Sequence, residues 1–288
     1  CDEMQAQTVV AHGKVEPDIV LCGIGAVVVD FLNIVDAGND PLVEKAAWAE
    51  YRHADMVYLG LIGHHPGGGT VGGQDQIEGK SMAATAKEAG ITIVAGDTKV
   101  VEGDGGLMVN TTGVGVVPDG VDICSKNVRE KDAVIISGTL GEHHATILST
   151  RLQIDNDITS DNAPLNDMVS RLLDNDIDIH AMRDVTRGGL ATVLKEVAVN
   201  SNVEITIEQE KLPITDKIRD FCGLLGLDPL YMGNEGKMVF FVNSDDADRA
   251  LEIIRASDYG SDAAVIGEAC RRHSSVTAVF FSDIFRKQ

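Results

Sequence analysis

Three short stretches of this 288-residue chain carry residue types that can do chemistry. The first is Gly96-Asp97-Thr98-Lys99, which follows the β-branched run Ile91-Thr92-Ile93-Val94. A carboxylate and an ammonium at a strand end suit a phosphate-and-metal site: Asp97 can hold a divalent cation and Lys99 can meet an oxyanion. A strand-to-loop bend with solvated charges accounts for the same four residues. The second stretch is Arg183-Asp184-Val185-Thr186-Arg187-Gly188-Gly189, which runs straight into the amphipathic segment 190–198. At a helix start the backbone N–H groups and the dipole favour an anion, and Gly188 and Gly189 let it come close. Arg187 adds a planar donor fork, and Asp184 can hold a metal or orient that arginine. The competing reading is an N-cap at Asp184 or Thr186, which needs one of these residues where the motif supplies five. The third stretch is Asn234-Glu235-Gly236-Lys237, just before the apolar run 238–242. Glu235 can serve as a general base with Lys237 as its electrostatic partner. A surface turn would also use these four residues.

The composition narrows what such sites can serve. Hydrophobic residues make up 44% of the chain, the formal net charge is -21 and the pI is near 4.6. That is a globular composition, and its charge repels nucleic-acid backbones and anionic membranes, so neither is expected as a partner. A phosphorylated ligand needs Lys, Arg, backbone N–H groups or a metal to reverse the field locally. The five cysteines, Cys1, Cys22, Cys124, Cys222 and Cys270, form no C-x-x-C pair and suggest reduced thiols in a cytoplasmic protein. Neither a signal-like leader nor a membrane-length apolar run is found, and the opening Cys1 suggests a start further upstream.

The elements that must position the three stretches alternate between strand and helix patterns. Strands are expected in 19–30 (one or two), 91–95, 107–117 (a pair), 133–136, 177–181, 203–207, 238–242, 263–266 and 276–281. Helices are expected in 41–56, 80–89, 142–151, 164–173, 190–198, 216–225 and 247–256. The glycine-rich segment 63–73 is expected to be a loop or lid. The fold class is therefore α/β (or α+β), with a domain boundary near Pro118 that divides the chain into 1–118 and 119–288. Gly138-Thr-Leu-Gly-Glu-His-His144 lacks the spacing of either common phosphate-binding loop and reads as a close-packing turn. The pairs His64/His65 and His143/His144 are adjacent rather than one turn apart, which suits exposed residues better than metal ligands.

Taken together, GDTKVV (96–101), NTTGVGVVP (110–118), SGTLGEHHATILSTR (137–151), SDNAPLN (160–166), MRDVTRGGLATVLKEVA (182–198), LLGLDPLYMGNEGK (224–237) and DAAVIGE (262–268) resemble the HypE family. These hydrogenase maturation proteins make the cyanide ligands of nickel–iron hydrogenases. They belong to the superfamily of aminoimidazole ribonucleotide synthetase, selenophosphate synthetase and thiamine-phosphate kinase. The resemblance runs in order from about Met82 to about Glu268 and is weaker in the first eighty residues. It implies a two-domain PurM-like fold whose N-terminal sheet forms a homodimer, with ATP and Mg2+ as cofactors. The reaction implied is ATP-dependent dehydration of a thiocarboxamide, carried on a C-terminal cysteine, to a thiocyanate. By the same resemblance Lys99 and Glu235 are catalytic, and Asp97, Thr98, Asp184, Arg187, Gly188, Gly189 and Asn234 bind the nucleotide. Asp97, Asp30, Asp55 and Asp18 are the implied metal ligands. The implied partners are the carbamoyltransferase HypF and the HypC–HypD complex. The family's tail is Pro-Arg-x-Cys, where this sequence reads Arg286-Lys287-Gln288. That difference keeps two alternatives open: another ATP-dependent synthetase or small-molecule kinase of the superfamily, and a non-catalytic ATP-binding partner.

Overall fold

Segments 133–136 (AVII) and 238–242 (MVFFV) are apolar at every position, the pattern of strands covered on both faces. The computed structural model describes residues 26–31, 56–64, 74–101, 107–118, 120–272 and 279–282, and bears this out. In the first half, β1 (Ala26–Phe31), β2 (Met56–His64), β3 (Ile93–Val101) and β4 (Leu107–Val116) form a four-stranded sheet in the order β1-β4-β2-β3. Helix α1 (Gln74–Glu88) connects β2 to β3, which run parallel as such a crossover requires. Gly90, with φ +68, follows its end as a left-handed cap.

The second half builds a six-stranded sheet from β5 (Ala133–Ile136), β6 (Ile179–Asp184), β7 (Glu204–Glu208), β8 (Met238–Val242), β9 (Ala264–Cys270) and β10 (Val279–Ser282). Their order is β10-β7-β9-β5-β8-β6. Side chains alternate across it with period two. Val134, Ile136, Val239 and Phe241 belong to the core under α4 (Gly189–Ser201), with Leu190, Val193, Leu194 and Val197. Ile135, Met238, Phe240 and Val242 belong to the opposite core, with Met168 and Leu172 of α3 (Asn166–Asp174) and Ala250 and Ile254 of α6 (Ala247–Arg255). A third cluster lies between α2 (Glu142–Leu152) and α5 (Asp216–Leu225), where Ala145, Ile218, Phe221, Cys222 and Met232 meet. Helices thus cover both faces of this sheet, an α/β layering. Among the described residues no helix is long and apolar enough to cross a membrane.

Several expectations change. The stretch 96–99 is not a strand-end bend, because β3 continues through it to Val101. Gly60, Leu61 and Ile62 of β2 pair with Asp97, Thr98 and Lys99 in turn, so the neighbouring strand supplies ladder partners beyond Gly96. Asp97 and Lys99 therefore occupy alternate positions on one face of β3, and Thr98 falls on the other. The expected helix at 41–56 cannot reach its last residue, since Met56 opens β2; its remaining residues lie outside the described ones. The strand β2 itself, broken by Gly60 and Gly63, has no counterpart among the expected elements. Gly63 and His64, placed in a loop, are its last two residues, and the rest of that loop lies outside the described residues. The pair expected at 107–117 is the single strand β4.

The far end of the second sheet from the chemistry-bearing loops is fixed by a buried polar knot. His180 Nδ1 and Arg129 N both lie 2.7 Å from Asp132 Oδ2, and His180 Nε2 is 3.3 Å from Asp178 Oδ2. His180 and Asp132 are almost fully buried. His180→Ala would leave the Asp132 carboxylate short of a partner in a dry setting, at a cost of about 3 kcal/mol. Urea denaturation checks this; a change below about 0.5 kcal/mol would show the knot to be inert.

Candidate active site

The second and third stretches meet because their strands are neighbours. Strands β6 and β8 pair antiparallel with Asp184 opposite Met238, so the residues leaving β6 lie beside those entering β8. Val185 N donates to Lys237 O (3.0 Å), and Asn234 N donates to Val185 O (3.0 Å). The turn after β5 joins them through Ser137, whose N donates to Met238 O while its Oγ accepts from Met238 N, both at 2.9 Å. Asn234 locks the three loops together. Its Oδ1 accepts from Gly141 N (2.7 Å), and its Nδ2 donates to Val185 O and Met232 O, each at 3.1 Å. The side chain is completely buried.

A fourth segment, 160–163, presses on the same place. A Cβ on Gly236 would come within 1.9 Å of Asp161 O, so only glycine allows this approach. Asp161 Oδ1 accepts from Glu235 N (3.0 Å). Its Oδ2 accepts no hydrogen bond from the described residues and faces Lys237 Nζ at 3.5 Å. Lys237 therefore pairs with Asp161 and not, as expected, with Glu235.

The Glu235 side chain is 20% exposed, and its Oε1 lies 3.9 Å from His143 Nε2. Burial first, then repulsion from Asp161 and Asp184, pushes its carboxyl up to about 7; Arg187 pulls the other way. Glu142, at the start of α2, is also raised, chiefly by burial and with Asp161 adding; its own backbone N–H, Thr139 and Lys237 oppose this. His143 Nδ1 lies 2.9 Å from Ser160 Oγ. His144 is held below the usual imidazole range by burial and by Arg151, and its Nδ1 lies 3.4 Å from Gly233 N. The two histidines are thus half-buried and built into the site, and the turn before them is more than a packing device. Sequence reading missed Glu142, His143 and Asp161 because their spacing matches no known loop; only SDNAPLN, as a block, pointed to the fourth segment.

At the start of α4, Asp184 Oδ2 accepts from Thr186 Oγ1 (2.6 Å). Gly188 is the N-cap at φ 77, and a Cβ there would strike the Thr192 side chain. Gly189 has φ 64, and its absent Cβ leaves room for Leu230 O and Met232 O; its N–H donates to Thr186 O (3.1 Å). Both glycines thus answer to backbone geometry and packing. The chemistry of an anion fits here, with Arg187 beside the positive end of the dipole.

The structure brings together Asp184, Arg187, Gly188, Gly189, Asn234 and Glu235. Asp97, Thr98 and Lys99 lie in β3 and Asp30 in β1, where it pairs with Thr112; they are placed by backbone alone. Asp18 and Asp55 fall outside the described residues. Among the described residues no cluster of three His, Cys, Asp or Glu side chains is arranged to hold a metal.

Residues 129–279 match the family model of the AIR synthase related protein, C-terminal domain. The carbamoyl dehydratase HypE of Cupriavidus necator is 47% identical over 194 residues, covering 66% of this chain and 55% of that protein. HypE of Bradyrhizobium diazoefficiens is 47% identical over 195 residues, covering 66% and 56%. The chain thus spans little more than half the length of these curated relatives. The crystal structure of E. coli HypE superposes with a TM-score of 0.76 at 31% identity, over 91% of this chain and 82% of that one. A HypE solved in complex with ATP gives 0.73 at 32% identity, over 88% and 79%. A HypE–HypF complex gives 0.74 at 33% identity, over 91% and 88%. With a family model that matches half of its length and HypE relatives alike in sequence and in fold, the chain belongs to the AIR synthase-related family, among the HypE hydrogenase maturation proteins.

Proposed function

We propose that this chain is an ATP-dependent carbamoyl dehydratase that converts a cysteine S-carboxamide into a thiocyanate for the cyanide ligands of nickel–iron hydrogenase. The observation that carries this reading is the Glu235 carboxyl, raised to about 7 in a site walled by three loops of one sheet end. A base that works on an amide nitrogen must hold and release protons near neutral pH, and an ordinary glutamate at 4.5 does so poorly. The relatives' described activity and the HypE solved with ATP support the same conclusion.

The amide oxygen is a poor leaving group, and ATP supplies the phosphoryl group that makes its departure feasible. Glu235 takes protons from the amide nitrogen. Lys99 stabilises the charge that develops on the oxygen. Arg187 and the start of α4, with Gly188 and Gly189, face phosphate oxygens, and Asp184 and Thr98 line the nucleotide beside them. Asn234 fixes the loop that carries Glu235. Mg2+ would be held by Asp97 with Asp30, Asp55 and Asp18, hard oxygen ligands suited to that ion. The chain divides near Pro118 into an N-terminal domain, 1–118, that binds ATP and pairs with a second copy, and a C-terminal domain, 119–288. A homodimer served by HypF and by the HypC–HypD complex completes the proposal, and the HypE–HypF complex supports the first of these partners. The described cysteines Cys124, Cys222 and Cys270 are free thiols, which accords with a reducing cytoplasm.

Incubation with Mg-ATP and a peptide ending in S-carbamoyl-cysteine tests the reading. Thiocyanate and ADP are expected together, and ADP formed only with a free metabolite would replace this reading with a small-molecule kinase. Glu235→Gln is expected to lower thiocyanate formation at least about 100-fold while ATP still binds, measured by calorimetry.

The raised carboxyl also has a sign in stability. Between about 4.5 and about 7 the folded protein holds a proton at Glu235 that the unfolded chain has lost, so this group's contribution falls as pH rises through that window. Glu235→Gln should therefore be more stable than the parent at pH 8, by up to about 3 kcal/mol, with the difference vanishing below pH about 4.5. Urea denaturation across that range measures it; a difference independent of pH would contradict the assignment.

A further inference from the structure

The turn between α6 and β9 holds a bulky residue in a conformation that suits small ones. Tyr259 has φ +66, in the left-handed region where glycine or asparagine fits more easily. The turn around it is tightly bonded. Ser257 Oγ donates to Ile253 O (2.9 Å), Gly260 N to Ser257 O (3.3 Å) and Ala263 N to Gly260 O (3.0 Å). A Cβ on Gly260 would come within 1.9 Å of Ile254 O, so the chain runs hard against α6 just after Tyr259. Packing explains the left-handed backbone here, but not why the side chain is tyrosine. Its hydroxyl supplies a reason: it bonds to the carboxylate of Glu88, 171 residues away and the last residue of α1.

The end of α1 leads directly into β3. Gly90 N donates to Lys87 O (3.2 Å) and Ile91 N to Ala86 O (2.9 Å), the two bonds that close a glycine-terminated helix. Strand β3 opens two residues later at Ile93, so little slack separates Glu88 from the strand that carries Asp97 and Lys99. On its other side, Tyr259 backs onto the turn after β5. A Cβ on Gly138 would lie 3.6 Å from Tyr259 O and 3.0 Å from Lys237 Cε. We propose that Tyr259 is a positioning residue: its hydroxyl clasps the end of α1 to the turn after α6, and so sets where β3 stands against the loops 138–142 and 234–237. The clasp stands on these contacts alone, whereas its value to catalysis rests on the dehydratase reading above. The hydrogen bond to Glu88, then burial and the charges of Glu88 and Asp258, push the phenol up to about 12, so at neutral pH it keeps the proton it donates. Asn166 Nδ2 grips the neighbouring Ala89 O at 2.7 Å, so loss of the clasp loosens the end of α1 without freeing it.

Amide hydrogen exchange on the full chain reads the clasp without any assay of the reaction. Tyr259→Phe removes the hydroxyl alone. It is expected to speed exchange about 5-fold across residues 86–101 and to leave β5 and β8 unchanged. Glu88→Ala is expected to match it, and the double variant to add nothing further, since both act through one contact. Glu88→Gln keeps an acceptor and is expected to exchange nearly as the parent does. Thiocyanate formation from Mg-ATP and the S-carbamoyl-cysteine peptide should follow the same order, falling about 5-fold in Tyr259→Phe and Glu88→Ala and little in Glu88→Gln. Exchange in Tyr259→Phe equal to the parent's overturns the clasp. Exchange raised as much in β5 and β8 as in 86–101 assigns the hydroxyl to general stability and overturns it too. Locally faster exchange with unchanged thiocyanate formation overturns the positioning role. A parent protein that forms no thiocyanate overturns the dehydratase reading alone, and the exchange pattern still decides the clasp.

Discussion

The candidate site depends on one buried amide. Asn234 reaches backbone groups of three separate loops: Gly141 after β5, Val185 after β6 and Met232 in its own approach to β8. A carboxylate in its place would have no donors for Val185 O and Met232 O, and an apolar side chain would leave Gly141 N and both carbonyls unmet in a dry interior. Side chains hydrogen-bonded on every arm specify one geometry where packing alone would allow several. The precision needed at the next residue, Glu235, is set by this fastening.

That precision has an opposing term. Glu235 is held where burial and two carboxylates disfavour its charge, and Glu142 at the start of α2 is raised for related reasons, Asp161 being common to both. Such a cluster persists because the two apolar cores on either face of the second sheet, with Phe240 and Phe241 fully buried, hold its strands rigidly enough to carry local strain. The overall charge of -21 fits the same logic. An acidic chain raises the cost of each further carboxylate charge, so an acid that titrates near neutral pH is easier to build here than a strongly cationic pocket. The local exceptions include Arg187, just before the N-cap of α4, and Lys237, which balances Asp161.

Much of the second half was legible in the sequence. Strands β5 and β8 were readable because every position is apolar, and helices α5 and α6 because their apolar stripes repeat at helical spacing. The RDxTRGG and NEGK stretches were recognisable as chemistry, yet nothing in either says that β6 and β8 pair with Asp184 opposite Met238. That register is a long-range fact. Glu142, His143 and Asp161 were invisible for the same reason: each becomes part of a site only through loops brought from elsewhere. Strand β2 and the continuation of β3 past Gly96 were lost because local reading stops at glycine, whereas a ladder of backbone hydrogen bonds crosses a glycine without difficulty.

In the proposed reaction the first sheet contributes through β3, and the described contacts show how the start of that strand is set. Asn166 Nδ2, at the first residue of α3, donates to Ala89 O (2.7 Å), and the Tyr259 hydroxyl bonds to Glu88. Both partners lie at the end of α1, and β3 begins only a few residues later, at Ile93. A strand whose entry is pinned to the second half of the chain has little freedom to slide along its axis. Its parallel register with β2 then fixes which residue stands at each level, with Asp97 and Lys99 two positions apart on one face. A bend at Gly96 would have let that pair swing with the loop. A continuous strand denies it that freedom, which suits the role proposed above for Lys99, to meet a charge at one particular oxygen.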